Sequence, residues 1–321
     1  MTFEIYDYLV LGLAQLIVLF AYIYFARKTQ IIDTPNHRSS HVKPTVRGGG
    51  ILFPLTVLFV NIYYGFDYPW FMCGLLAISI ISFWDDVSPL PYAPRMIVHI
   101  LSVLLMVADL NLSVHWYFLL PIPFVAFVNA CNFMDGINGI TTTFGLAVLI
   151  VMLYIDVWME QFVNPSYLIL LILSVLVFSI FNFRKKALCF AGDVGSVSLS
   201  FIIGFLILLM IIQFKSVLFL GLVMVFAVDS SMTILYRMAN RENLTKPHRT
   251  HLYQLLANEL KISHLTVSSL YGVTQLSISI VLVMLMHLSL GLAAQLLVLL
   301  IAYIGMAAFY IWMRRRIRSA C

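Results

Sequence analysis

Residues 129–139 read NACNFMDGING and lie between two apolar runs, 116–128 and 140–157. Three asparagines, one aspartate and two glycines crowd this boundary, in a chain that is 62% hydrophobic and only 10% charged. On a helix Asn129 and Asn132 stand three apart and share a face that Asp135 continues. Gly136 and Gly139 would break that helix and open its backbone. A simple turn does not need three polar side chains at this spacing. What the stretch does depends on what its flanking runs are.

They read as membrane spans. A soluble chain of 321 residues needs far more charge to keep its surface wet, and the mean hydropathy here is +0.99. Eleven apolar stretches recur, at 9–25, 51–65, 70–84, 96–110, 116–128, 140–157, 167–183, 197–213, 217–236, 265–287 and 290–313. Several fall short of the ~20 residues that a bilayer core requires. Their helices are therefore expected to run on into the polar stretches beside them, which places those residues at membrane depth. Glu4 and Asp7 precede the first run and no basic residue comes before Arg27, so that run reads as a retained span, not a cleaved signal. Cys73, Cys131, Cys189 and Cys321 are isolated, which argues against a disulfide framework or a zinc ribbon. No repeat or linker divides residues 1–321, and the whole reads as one transmembrane domain.

Charge then orients the spans. With the N-terminus outside, the inward segments are 26–50, 85–95, 129–139, 184–196, 237–264 and the tail after 313. They hold every lysine and arginine but Lys215. A wrong span count would scramble that partition. The expectation is an all-α polytopic membrane protein of about eleven helices, with its C-terminus in the cytoplasm. The net charge of +5 is accounted for by inner-loop basic residues and needs no nucleic-acid partner.

The polar motifs all fall on the inner side. Asp85-Asp86 ends the third run. Two adjacent carboxylates repel, so burial favours a nearby cation, with a metal, Lys43 and Arg95 as candidates. GDVGS (192–196) precedes the eighth run; Ser196 is a candidate N-cap, and the glycines leave amides free for an anion. Asp193 can join an anion only through a divalent metal, and oxygen-only ligands suit Mg²⁺. Asn132 and Asp135 are candidates to complete that site. KPHRTHLYQ (246–254) offers His248, Arg249 and His251, a set that suits a diphosphate better than zinc, since no cysteine lies near. The remaining histidines read as loop or packing residues, with His41 left open.

In this order the motifs resemble those of the polyprenyl-phosphate N-acetylhexosamine-1-phosphate transferases, over residues 33–254. Asp85-Asp86 stands where that family has paired aspartates. NACNFMDGING is similar to its N-x-x-N-x-x-D-G-x-D/N-G motif, and AGDVGS to its G-D-x-G-S motif. KPHRTHLYQ resembles the histidine loop of the branch that starts O-antigen and capsule units, and lacks the histidine triplet of the phospho-MurNAc-pentapeptide translocase branch. The resemblance implies Mg²⁺-dependent transfer of a sugar-1-phosphate from a UDP-amino sugar to undecaprenyl phosphate at the cytoplasmic face of a bacterial inner membrane, releasing UMP. It further implies Asp193 and Asn132 as metal ligands and Asp85 and Asp86 as handlers of the lipid phosphate. Asp135 would order the diphosphate region, and Lys43, Asn129, Asn138, His248, Arg249 and His251 would contact substrate. Asn138 replaces the aspartate of many relatives, so a base at that position is excluded. A second copy of the chain is a further candidate partner.

A transporter or flippase of lipid-linked sugars is the alternative. Such proteins place ionisable groups near the midplane, within reach of both faces. Here those groups cluster at one edge.

Overall fold

A computed structural model of the chain describes residues 3–35, 43–244 and 248–320. The first helix, α1 (Ile5–Lys28), starts on the Asp7 carboxylate, which accepts from Glu4 N at 2.7 Å, and ends on Arg27 and Lys28, charges that suit its two poles. Two short strands, β1 (Ile32–Asp33) and β2 (Thr45–Val46), pair antiparallel, and Val46 also bridges to Cys189. A 3₁₀ turn, Gly49–Ile51, leads into α2 (Leu52–Tyr64). Then follow α3 (Pro69–Val87), α4 (Tyr92–Asp109), the single turn α5 (Trp116–Leu119), α6 (Pro121–Met134), α7 (Ile140–Trp158), α8 (Pro165–Asn182) and α9 (Gly192–Phe214). A 3₁₀ segment, Val217–Val223, continues as α10 (Met224–Ala239). The chain closes with α11 (Leu252–Asn258), α12 (His264–Met286) and α13 (Leu292–Ala320). Prolines open α3, α6 and α8, where the missing N–H is no loss.

Among the described residues, ten helices are long and apolar enough to cross a membrane, counting Trp116–Met134 and Val217–Ala239 as one each. The eleventh expected span, Gly49–Tyr64, is a shorter apolar helix. It nonetheless joins the two ends of the bundle. Gly50 N donates to Ala191 O (3.0 Å) beside the start of α9, while the Tyr64 hydroxyl bonds Ser166 Oγ (3.0 Å) at the start of α8. The chain is an all-α, multi-pass membrane protein.

Burial sorts the helices. In the most apolar 18 residues of each helix, two thirds are buried for α7, α9 and the Val217–Ala239 segment, against 17% for α1 and 11% for α13, so the first set forms the centre and the last two the rim. On α1, Leu19, Ile23 and Ala26 pack inward while Leu9, Leu13, Ile17 and Phe20 stay exposed, as a lipid-facing surface permits. Phe71 stacks on Phe205 at 3.9 Å and on Phe201 at 5.6 Å, and Phe124 meets Phe201 edge-on, which locks α3 and α6 onto α9.

A helix start inside a bilayer has orphan amides and no water to meet them. This fold answers repeatedly with an aspartate from another element. Asp109 takes Phe71 N (2.6 Å) at the start of α3, while Asp156 takes Phe162 N and Val163 N (2.8 and 3.0 Å) in the loop that leads to α8. Asp86 and Asp229 do the same for α9 and α11. As expected from the short apolar runs, α3, α6 and α9 extend into their polar motifs, and the motifs meet at one end of the bundle. Lys215 caps α9 at the other.

Candidate active site

The last turn of α3 carries Asp85 and Asp86, the first turn of α4 carries Arg95, and the first turn of α9 carries Asp193. Arg47 enters between β2 and the 3₁₀ turn. Its Nε lies 2.5 Å from Asp86 Oδ1 and its Nη2 2.8 Å from Asp193 Oδ1. Arg95 mirrors it, with Nη1 2.7 Å from Asp85 Oδ2 and Nη2 3.2 Å from Asp193 Oδ2. Each guanidinium thus bridges two carboxylates, and Asp193 is the shared one. Such bridging needs a planar fork, which lysine lacks.

The paired aspartates have different surroundings. Asp86 Oδ1 accepts from Asp193 N (2.8 Å) and Oδ2 from Val194 N (3.0 Å), so this carboxylate caps α9 from outside the helix. Its side chain is 0% exposed. Gly192, at φ +73°, makes the turn into α9 and lies against Asp86 and Gly48 too closely for a side chain. Asp85 accepts from Leu90 N (2.7 Å) and keeps 8% exposure, while Asp193 keeps 15%. Ser196 is not the N-cap expected of it: α9 starts at Gly192, its first amides go to Asp86, and Ser196 sits a turn inside, donating to Gly192 O.

Asn132 donates to Ser196 Oγ at 3.0 Å and reaches the Asp193 carboxylate. Asp135, just past α6, accepts from the Thr141 hydroxyl at 2.5 Å. Burial, aided by the charge of Asp193 and opposed by the Thr141 bond, pushes its carboxyl up to about 6. Asn129 lies one turn back on α6 with Nδ2 3.7 Å from Met96 Sδ, outside the carboxylate cluster. Asn138 fastens loops: its Nδ2 donates to Arg184 O (2.8 Å) and its backbone carbonyl accepts from Ser268 Oγ (2.8 Å).

Lys43 is exposed, and its carbonyl accepts from the Thr45 hydroxyl. The partners of the paired aspartates are Arg95, as expected, and Arg47 in place of Lys43. The reason is local: Arg47 directly precedes the Gly48–Gly50 run that packs against α9, whereas Lys43 comes before β2 in an exposed position. His37, Arg38, His41 and Lys246 lie outside the described residues.

The histidine loop docks beside this cluster. The Tyr253 hydroxyl donates to Phe133 O at 2.9 Å, and Gly136 packs directly on that hydroxyl. His248 bonds the Thr250 hydroxyl at 2.9 Å and stacks on His251 with ring centroids 5.0 Å apart, with Arg249 half-buried between them in sequence. Arg314 of α13 lies over the Tyr236 ring at 3.4 Å and donates to Thr250 O at 2.8 Å, which pins the loop from the other side. Burial, with His251, Arg237 and Arg314 nearby, pushes the His248 imidazole down to about 4. That sets a sign. A depressed histidine contributes stability above its unfolded value of ~6.5 that is lost as pH falls through about 4. His248→Gln is therefore expected to lose less thermal stability than the wild type when the pH is lowered across that window. An equal loss in both proteins would contradict the buried, neutral ring.

Three residues of this region went unread in the sequence. Arg47 and Tyr253 carry no signal beyond their motifs. Asp229, a lone carboxylate inside the run 217–236, did: an ionisable residue at membrane depth is expensive unless it has partners.

Fold and site together define a multi-pass membrane protein whose one polar end gathers carboxylates, guanidiniums and imidazoles. The model of glycosyl transferase family 4 matches residues 68–211, a stretch that contains Asp85, Asp86, Asn132, Asp135 and Asp193. The undecaprenyl-phosphate alpha-N-acetylglucosaminyl 1-phosphate transferase of Thermotoga maritima is 32% identical over 132 residues, 38% of this chain and 42% of that protein. The probable undecaprenyl-phosphate N-acetylglucosaminyl 1-phosphate transferase of Bacillus subtilis is 24% identical over 263 residues, 72% of this chain and 71% of that protein. Over residues 68–211 the chain is thus similar to glycosyl transferase family 4, and its motifs resemble those of sugar-1-phosphate transferases.

Proposed function

We propose that the protein transfers an N-acetylhexosamine-1-phosphate from a UDP-amino sugar to undecaprenyl phosphate, releasing UMP. The observation that carries this reading is the shared carboxylate Asp193, set between two arginines at the membrane edge, in a chain similar to two such named enzymes. Arg47 and Arg95, 29% and 24% exposed, are the groups to bind phosphate oxygens, since guanidinium pairs with phosphate in a bidentate way. Of the paired aspartates, Asp85 is the one to receive the proton of the lipid phosphate. Asp86 is consumed by α9 and Arg47. Lys43 and Arg249 extend the positive rim toward the nucleotide, with the histidine loop beside them.

Mg²⁺ belongs to the same reading, with Asp193 and Asn132 to hold it. Among the described residues no group of three or more His, Cys, Asp and Glu is arranged around a metal. The donor chemistry nevertheless suits a hard divalent cation, being oxygen only. Four carboxylates (Asp85, Asp86, Asp135 and Asp193) face two guanidiniums, which leaves negative charge for a cation to balance. When bound, such an ion neutralises charge developing on the diphosphate.

Purified protein given undecaprenyl phosphate and a panel of UDP-amino sugars should release UMP with at least one of them. Release with none would overturn the reading. A transporter finds no support in the geometry, because the carboxylate cluster lies at one end of the bundle.

The basic residues around the site favour the cytoplasmic face for it. A reporter fused after Ser113 is expected outside and one after Lys186 inside. Both on one side would contradict the arrangement.

A further inference from the structure

Asp229 sits within α10, where an ionised carboxylate is costly unless its lone pairs are used. Five donors reach it. Oδ1 takes His251 Nδ1 at 3.2 Å, Leu252 N at 3.0 Å and the Thr233 hydroxyl at 3.2 Å. Oδ2 takes the Tyr271 hydroxyl at 2.6 Å and Tyr253 N at 3.3 Å. The two amides alone would cap α11, so the histidine contact is additional to that structural task.

That contact decides the state of the ring. A carboxylate surrounded by donors acts only as an acceptor, so the nitrogen facing it carries a hydrogen. His251 is therefore protonated at Nδ1, which leaves Nε2 as its open position. Nε2 is buried and has no hydrogen-bond partner among the described residues. The plane of the ring is set by its neighbours: His248 stacks on it at 5.0 Å and Tyr253 at 5.7 Å, and Tyr253 is tied to Phe133 O next to the carboxylate cluster. The charged and titratable groups around the ring come from every neighbouring element. Arg249 and the neutral His248 share its loop, and Arg237 stands on α10. Tyr271 comes from α12, Tyr310 and Arg314 from α13, and Asp135 lies beyond Tyr253. Asp229 is the negative charge in direct contact.

We propose that Asp229 is a positioning residue for His251: it holds a proton on Nδ1 and presents Nε2 to the nucleotide. In that tautomer Nε2 is an acceptor, and it takes a hydrogen bond from a hydroxyl or N–H of the nucleotide sugar. This role rests on the transferase reading above.

Two measurements test it. In full-length protein labelled with ¹⁵N-histidine, the His251 signal is identified by its loss in His251→Gln. In alkaline buffer its Nδ1 should carry hydrogen. A bare Nδ1 overturns the proposal, and this result needs neither activity nor a variant of Asp229. In the UMP-release assay, Asp229→Asn can donate its own N–H to the ring and so permits the wrong tautomer. It should lower kcat/KM for the UDP-sugar by about 10–100-fold, as loss of a residue that orients a functional histidine does. His251→Gln should lose a similar factor, and the double variant no more than the larger single loss. Multiplying losses would make Asp229 a helix cap alone and overturn the role. If the wild type releases no UMP from any UDP-sugar, the transferase reading fails, while the ¹⁵N result still decides whether Asp229 sets the tautomer.

Discussion

Asp193→Ala is expected to lower the rate of UMP release by about 10³-fold or more, with the protein still inserting, purifying and unfolding much as the wild type does. The first part follows from its place between Arg47 and Arg95 and from its proposed role as a metal ligand. The second follows because the groups its side chain contacts keep other partners, Asn132 among them through Ser196. The amide of Asp193 is capped by Asp86 whatever its side chain is, and each arginine retains a second carboxylate, Asp86 or Asp85. Asp193→Asn keeps the shape and loses the charge, and should lose most of the activity too. A near-normal rate for Asp193→Ala at limiting Mg²⁺ would refute the metal assignment.

The paired aspartates should separate into a structural and a chemical residue. Asp86→Ala leaves Asp193 N, Val194 N and Arg47 Nε without their acceptor in a sealed position, the situation in which breaking a buried pair costs about 3–5 kcal/mol. Asp86→Asn points an amide N–H₂ at donors and should err in the same direction. A large fall in the thermal unfolding midpoint is the expected measurement. Asp85→Asn, at the 8% exposed position, should fold and instead slow the reaction by about 10²–10⁴-fold, the usual contribution of a general base. The second ionisation of a phosphate monoester lies near pH 6, so its residual rate should rise with pH as the lipid phosphate deprotonates itself. UDP-sugar affinity should change little. If Asp86→Ala were as stable as the wild type, or Asp85→Asn unfolded, the division would be wrong.

Much of this architecture was legible because the bilayer simplifies the code. Apolar runs give spans, the lysines and arginines give sidedness, and short runs tell that Asp85, Asp86, Asn132 and Asp193 sit on helix ends. What was not legible depends on contacts between distant segments. Nothing in VRGGG says that Arg47, rather than Lys43, reaches both Asp86 and Asp193, because that follows from the Gly48–Gly50 run packing on α9. Nor does GDVGS say that its helix is capped by a residue about a hundred positions earlier, so Ser196 looks like the cap. Asn138 sits inside a motif yet spends its amide on Arg184 O. Asp229 was visible as an anomaly in an apolar run, but its partners, His251 and Tyr271, lie on other elements.

The central claim is that this end of the bundle transfers a phosphate together with its sugar. The direct test uses a UDP-amino sugar labelled in its β-phosphate, incubated with undecaprenyl phosphate and the purified protein. Label recovered in the lipid fraction, in step with UMP and absent with Asp193→Ala, is the predicted result. Label that stays in water-soluble UDP while sugar enters the lipid would contradict it.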